Sequence, residues 1–251
     1  MTNINRSTSL EMEVFPKKCE RDGCTKGYSK FCPFSEPTKA KPGNHEGKGK
    51  TLRTKMWGTN GYKSHPWWTG NGALEAHHLI CSEVMQSWEV LCNKFGYDVN
   101  NKYNGVMLPY TMELACHLGV PMHRSNHSNT NPAYPIVVGN LVEPIQNNIN
   151  KGTYCGQDGW EKFNNDLNTI SKRIMRKVSA FAYKLTADGK DYEPASSMGC
   201  GNLSNMGEKY TDCSKQRNHE GEFKHEKTST VIKSYKTSGK WKLKVNDGHV
   251  R

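Results

Sequence analysis

Several stretches of this 251-residue chain repeat hydrophobic residues with the period of a strand or a helix. Residues 73–80 and 106–108 are short apolar runs that predict two strands, and the second run stops at Pro109. Between them, apolar residues recur every three or four positions. This spacing predicts a helix with Ser82 as its N-cap and Gly96 just after its last residue. A further helix is predicted over 111–118.

The regions on either side have different patterns. Residues 157–185 carry an apolar stripe at helical spacing, which predicts one long amphipathic helix. Residues 230–235 and 241–245 alternate as the two strands of a C-terminal β-hairpin do. Residues 1–70 are interrupted by Gly and Pro, so we expect a basic, loop-rich segment that is exposed and mobile over 39–50. Together these elements predict an α+β fold.

Positive charge lies mainly in the flanks. The chain has 35 Lys and Arg against 24 Asp and Glu, a net charge of +11. Residues 1–75 contain 13 basic and 7 acidic residues, 76–156 contain 4 and 5, and 157–251 contain 18 and 12. Basic flanks suit a phosphate backbone, although a basic protein without a nucleic-acid ligand is the alternative. The long helix adds four candidates for nucleic-acid contact, which would otherwise be a solvated helix face: Lys172, Arg173, Arg176 and Lys177.

Apolar runs and cysteines set further limits. No apolar run reaches the roughly 18 residues of a transmembrane helix, and the first residues lack the apolar stretch of a signal peptide. The nine cysteines, an odd number, suggest free thiols or one or two disulfides. A structural zinc site built from Cys19, Cys24, Cys32 and His45 is an alternative, although its spacing is irregular.

A histidine doublet, His77-His78, lies in the first predicted strand. Neighbouring side chains of a strand point to opposite faces. One imidazole can therefore bind a metal ion while the other takes a proton, which is the combination that phosphodiester hydrolysis needs.

Four polar residues follow the doublet at suggestive positions. Asn104 precedes the second predicted strand, His123 and His127 are four residues apart, and Tyr134 comes next. If Pro121 opens a helical turn, His123 and His127 lie on one face of it and can reach a single ion.

The order Ala-His-His, Asn-Gly-x-x-Leu-Pro, His-x-x-x-His and Tyr resembles the AHH nucleases of the HNH/endonuclease VII (His-Me finger) superfamily, which are common in bacterial toxins and effectors. It is also similar to the core of colicin-type DNases. The resemblance covers roughly residues 75–138. It implies a ββα-metal core with an inserted helix, and a metal-dependent endonuclease that cuts DNA with little sequence specificity, with RNA as an alternative substrate.

The resemblance also implies a role for each histidine. His77, His123 and His127 would hold one divalent cation (Mg, Mn, Ni or Zn), and three imidazoles leave coordination positions open for phosphate and water. His78 would act as the general base. His117 is an alternative to His123 as the third ligand.

Three further catalytic residues follow from the same resemblance. Asn104 would brace the finger loop and hold the general base in register. Arg124 and Tyr134 would lie close to the scissile phosphate.

The organisation that we expect has three parts. Residues 1–70 form the basic N-terminal segment, 71–186 the nuclease domain, and 187–251 a basic segment with the hairpin. By resemblance, the protein would be a toxin made in the bacterial cytoplasm without a cleaved signal peptide, secreted into a target cell and neutralised by a cognate immunity protein. The competing hypothesis is a zinc-stabilised nucleic-acid-binding module without catalysis.

Overall fold

The computed structural model describes residues 42–65, 67–68, 74–124, 127, 133–155, 158–187, 189 and 191, and the backbone of 222–224 and 231–233. The helices are α1 (Gly49–Trp57), α2 (Ser82–Gln86), α3 (Glu89–Phe95), α4 (Met112–Leu118), α5 (Tyr134–Asn150) and α6 (Gly159–Ser179), with short 3-10 turns at Gly61–Ser64 and Lys102–Asn104. The strands are β1 (Leu74–His78), β2 (Gly105–Pro109), β3 (His123–Arg124), β4 (Leu185–Thr186), β5 (Glu222–Lys224) and β6 (Val231–Lys233).

The strands form three small pairs. β1 and β2 are antiparallel, and His77 lies opposite Val106 while His78 lies opposite Gly105. β3 and β4 are parallel, and β5 is antiparallel to β6. The mixed α+β class and the two strands predicted at 73–80 and 106–108 are confirmed.

The helix predicted between the two strands is in fact two helices, α2 and α3. Cys81 is the N-cap of α2, so the prediction of Ser82 in that position was wrong. The break follows from Ser87, whose hydroxyl donates to the carbonyl of Val84 and so competes with the helical hydrogen bonds. Gly96 ends α3 in the left-handed conformation, as predicted.

The two longest helices also differ from the prediction. α6 ends at Ser179 and not at residue 185, because the chain turns at Phe181, whose φ is 57°. The sequence pattern missed α5 altogether. Its Pro135 lies in the first turn, where no backbone N–H is needed, and Pro144 is tolerated inside the helix.

Residues 42–50 are hydrogen-bonded to the domain, which corrects the expectation of a mobile stretch, although several of their side chains are exposed as expected. The N–H of Asn44 donates to the carbonyl of Tyr97, and the N–H of Val99 donates to the carbonyl of Asn44. α1 then packs on β1 and β2, and the side chain of Leu52 is completely buried. The burial of Leu52 fixes this segment because its apolar face is removed from water.

One hydrophobic core runs from Leu52 in α1 to Leu185 in β4. It includes Trp67, so the core extends across residue 70, where we expected the N-terminal segment to end. The helical side consists of α5 and α6 with α2 and α3 against them. No helix in the described ranges combines the length and the apolar character needed to cross a bilayer.

One strand of the predicted C-terminal hairpin forms a pair that was not predicted. β6 lies within the predicted strand 230–235 but pairs with β5, which precedes it. The predicted partner, 241–245, lies outside the described residues, as do residues 1–41.

The packing of Gly43 gives a test of this N-terminal attachment. A Cβ at residue 43 would lie 2.1 Å from the carbonyl oxygen of Tyr97 and 2.2 Å from that of Cys92. Gly43→Ala should therefore lower the free energy of unfolding by about 1–3 kcal/mol. Gly139→Ala, in open space on α5, should raise it by about 0.5–1 kcal/mol. Urea unfolding of the full chain measures both, and an unchanged Gly43→Ala protein would mean that the segment is not packed this way.

Candidate active site

Three histidines converge at the side of the β1–β2 pair. His77 comes from β1, His123 from β3, and His127 from the segment that follows β3. One ring nitrogen from each lies within 4.8 Å of the other two. All three residues are at least nine-tenths buried, with exposed fractions of 1, 6 and 5 %. Imidazole nitrogens at this separation can share one cation.

His123 reaches this cluster from a strand, so the helical spacing expected for His123 and His127 was wrong. β3 pairs in parallel with β4, with His123 opposite Leu185. The chain returns from α6 to complete this pair, and β3 in turn contacts β1 and β2. The pairing with a distant strand decides the local backbone here, and Pro121 does not open a helix.

A hydrogen-bond chain orients His77. The hydroxyl of Tyr134 donates to the carbonyl oxygen of Leu79 at 2.7 Å, so its oxygen accepts from Nε2 of His77 at 3.1 Å. Nε2 therefore carries the proton and Nδ1 has the lone pair. Nδ1 of His77 is buried and has no hydrogen-bond partner in the described part of the chain. A buried acceptor of this kind fits a metal ligand.

The cluster favours neutral imidazoles. Burial lowers the pKa of His77 well below its ordinary value, and the nearby His123 and His127 lower it further. Burial, and then His123 and His78, lower the pKa of His127 to about 3. Because a histidine must be neutral to bind a metal, the protein environment keeps these two side chains ready to act as ligands.

A carboxylate borders the cluster. An Oε2 of Glu75 lies 3.1 Å from Nδ1 of His123, at ion-pair distance although not in hydrogen-bond geometry. Glu75 and His77 are two residues apart in β1, so they share a face of the strand. The sequence analysis missed Glu75, although this spacing was the signal that would have found it.

His78 points away from the cluster and has its own partner. Its Nε2 lies 3.0 Å from Oδ1 of Asn100. The amide of Asn100 is oriented by its Nδ2, which donates to the carbonyl of Glu46 at 2.8 Å. Oδ1 is therefore an acceptor, Nε2 of His78 is the donor, and Nδ1 of His78 keeps its lone pair. Asn100 is the other residue that the sequence analysis missed, because nothing in the local pattern marks it.

Asn104 lies under the loop that follows the doublet. Its Oδ1 accepts from the N–H of Ile80 at 2.8 Å and from the hydroxyl of Ser171 at 2.9 Å. Its Nδ2 donates to the carbonyls of Ile80 and Val99, each at 2.9 Å. Asn104 is completely buried, and its amide bonds the backbone of Ile80, two residues after His78.

A comparison with known families agrees with this geometry. Residues 61–174 match the sequence model of AHH, a nuclease family of the HNH/ENDO VII superfamily with conserved AHH. This part of the chain is therefore similar to the AHH nuclease family. The triplet Ala76-His77-His78 lies within the matched range and forms the end of β1. No curated protein and no solved structure matches the chain significantly.

Two of the remaining residues that the sequence predicted for the active site, Arg124 and Tyr134, are buried. Arg124 is in β3 with an exposed fraction of only 1 %, and the hydroxyl of Tyr134 is used to hold His77. Contact of these two with a phosphate stays a prediction. His117 lies in α4, but its side chain is outside the described part, as are Cys19, Cys24 and Cys32. Cys81 and Cys92 are buried thiols.

Two basic surfaces flank the AHH site. The predicted cluster Lys172, Arg173, Arg176 and Lys177 is exposed on α6. A second surface is a cavity of about 320 Å³ between α1 and β1, whose lining includes Lys50 and Arg53 together with Glu75. The guanidinium of Arg53 lies 4.0 Å from the ring centre of Tyr62, which holds it in place. α1 was not predicted, so this second surface was missed.

The Tyr134 hydroxyl gives a test of the metal site that does not depend on catalysis. Tyr134→Phe removes the acceptor for Nε2–H of His77, so metal affinity should fall about 10- to 100-fold. Tyr103→Phe, at an exposed position, is the matched control and should bind normally. Isothermal titration with Mn²⁺, Ni²⁺ and Zn²⁺ measures both. Wild-type affinity in Tyr134→Phe would mean that the hydroxyl does not support metal binding by His77.

Proposed function

We propose that the AHH domain is a divalent-metal-dependent endonuclease that hydrolyses phosphodiester bonds of DNA with little sequence specificity. Similarity to a nuclease family gives the class of reaction. The observation that carries the rest is the division between the two neighbouring histidines. His77 faces two further histidines, whereas His78 faces Asn100 and keeps its Nδ1 lone pair.

We assign the β1–β2 pair and the helix after it to a ββα-metal core. β1 ends in the histidine doublet, β2 is antiparallel to it, and α4 follows β2 and packs on it. α2 and α3 lie between β1 and β2 in sequence, which corresponds to the inserted helix that the sequence predicts.

His77, His123 and His127 would hold the cation, whose identity among Mg, Mn, Ni and Zn is open. A bound divalent cation would stabilise negative charge on the phosphate and on the leaving oxygen. By fixing the position of the cation, the three side chains would also fix the position of the substrate phosphate that it binds. Their burial excludes water from the cluster and strengthens this electrostatic effect.

His78 would act as the general base through Nδ1. Its Nε2–H is directed at Asn100, so Nδ1 is the nitrogen that can take a proton from the attacking water. Asn104 would keep the end of β1 in register by bonding the backbone of Ile80. Arg124 is proposed to lie near the phosphate on the strength of the family resemblance alone.

A zinc-stabilised module that binds nucleic acid without cutting it is the second candidate. The deep burial of His77, His123 and His127 favours it, because structural sites are closed to solvent. A closed site has four protein ligands. Among the side chains that the structure describes, the cluster offers three, which favours the catalytic site.

The biological setting is proposed from the resemblance to bacterial effector nucleases. We propose a toxin that is made in the bacterial cytoplasm, secreted, and active in a target cell, with a cognate immunity protein as its inhibitor. The basic flanks support nucleic acid as the substrate, because a phosphate backbone attracts them at long range.

The two adjacent histidines separate the two candidate functions. His78→Ala should leave metal binding and DNA binding nearly unchanged and lower the cleavage rate by about 10²- to 10⁴-fold. His77→Ala should lose metal binding and cleavage together. Relaxation of supercoiled plasmid with and without EDTA, beside metal titration, measures these effects. A wild-type protein that binds zinc and DNA but leaves plasmid and RNA intact with all four metals would establish the binding module.

The two basic surfaces can be compared by salt dependence. Replacing Lys172, Arg173, Arg176 and Lys177 together by Ala should weaken DNA binding and reduce the log-log salt slope by about 0.9 for each phosphate that the variant no longer neutralises. Lys151→Ala, at an exposed residue after α5, serves as a control for charge. If the Lys50→Ala/Arg53→Ala protein flattens the slope and the α6 protein does not, the DNA lies along the cavity beside α1.

A further inference from the structure

Asn100 joins His78 to a part of the chain outside the AHH match. Its side chain is completely buried. Oδ1 accepts from the N–H of Lys48 at 2.7 Å as well as from His78, and Nδ2 donates to the carbonyl of Glu46 at 2.8 Å and to Asp98 at 3.2 Å. All the hydrogen-bonding capacity of this amide is therefore used, so it cannot rotate without breaking buried bonds.

The contacts from Glu46 and Lys48 come from their backbone and not from their side chains. The side chains of the two residues are largely exposed and form a surface ion pair with each other. A surface pair of this kind contributes little to stability. The path of the Glu46–Lys48 backbone, and not the identity of its charged side chains, is what orients Asn100.

Gly47 brings this backbone against the imidazole. A Cβ at residue 47 would lie 2.8 Å from Cβ of Ser82 and 3.4 Å from Cε1 of His78. The first distance is too short for two carbon atoms, so any larger residue would move the segment away from the ring. Only a glycine lets the backbone of Glu46–Lys48 lie against His78 and Ser82 at once.

We propose that the Glu46–Lys48 segment is a positioning element for His78. Through Asn100 it fixes the ring orientation and the Nε2–H tautomer, and DNA cleavage depends on that geometry. The proposal rests on the proposed function, in which His78 is the general base. The segment precedes the matched range 61–174, so the family match gives it no role.

The proposed reaction requires that Nδ1 of His78 point its lone pair at the attacking water. A base must present its lone pair to the water in a narrow range of directions, and a displacement of about 1 Å can cost 10²-fold in rate. With Nε2–H held by Asn100, Nδ1 is the atom left to accept the proton. Loss of the segment would let the ring rotate and exchange tautomers, while the metal ligands on the other face of β1 stay in place.

Two substitutions in the 251-residue chain test this. Gly47→Ala displaces the segment, and Asn100→Ala removes the amide. Gly61→Ala is the matched control for the first, because a Cβ there would make an ordinary contact at 3.7 Å with Trp57. Glu46→Ala/Lys48→Ala removes both exposed side chains and keeps the backbone contacts.

The decisive readout is ¹⁵N NMR of the His78 ring in histidine-labelled protein, assigned with His78→Gln. Wild type, the control and the double side-chain variant should show the Nε2–H tautomer. Gly47→Ala and Asn100→Ala should show mixed tautomers and a kcat lower by about 10- to 100-fold, with metal affinity within about twofold of wild type.

Each contrary result has one meaning. An Nδ1–H tautomer in the wild-type protein overturns the proposal, and this result does not depend on the folding of Gly47→Ala or Asn100→Ala. A fall in kcat without a change in the His78 spectrum also overturns it, although the nuclease function would stand. A changed spectrum with unchanged kcat overturns the role of His78 as the base, and with it the dependence of cleavage on the segment.

Discussion

The buried amide of Asn104 joins three parts of the fold that have to agree for the site to exist. It bonds the backbone of Ile80 just after β1, the carbonyl of Val99 before β2, and the hydroxyl of Ser171 on α6. A buried amide that leaves a donor or acceptor unused costs about 1–3 kcal/mol, so the loss of any of these four bonds is disfavoured. These bonds therefore fix the position of the end of β1, which carries the histidine doublet, relative to β2 and α6.

The doublet then divides the site into two sides with separate supports. His77 is oriented from the C-terminal side, by the hydroxyl of the tyrosine that begins α5. His78 is oriented from the N-terminal side, through Asn100 and the backbone of Glu46–Lys48. The alternation of side chains in β1 makes this division possible, because it sends the two rings to opposite faces. Changes on one side can leave the geometry of the other intact.

Charge is distributed in a way that suits the same chemistry. The histidine cluster is buried, with the carboxylate of Glu75 at its edge. The basic residues lie outside it, on α6 and beside α1. Because water is excluded from the cluster, electrostatic interactions of a charge bound there are stronger than in solvent. The exposed basic surfaces attract a polyanion at longer range.

The sequence by itself determined the local features: the two strands, the glycine that ends α3, the apolar stripe of α6, and the doublet with its downstream histidines. Those features depend on period and residue type over a few positions, so a linear pattern contains them. Tertiary structure alone decided that His123 sits in a strand paired with Leu185, that α5 forms despite its prolines, and that Asn100 bonds both His78 and the backbone of residues 46–48. Such contacts join residues that are distant along the chain, and burial and strand pairing, which no local pattern records, select them.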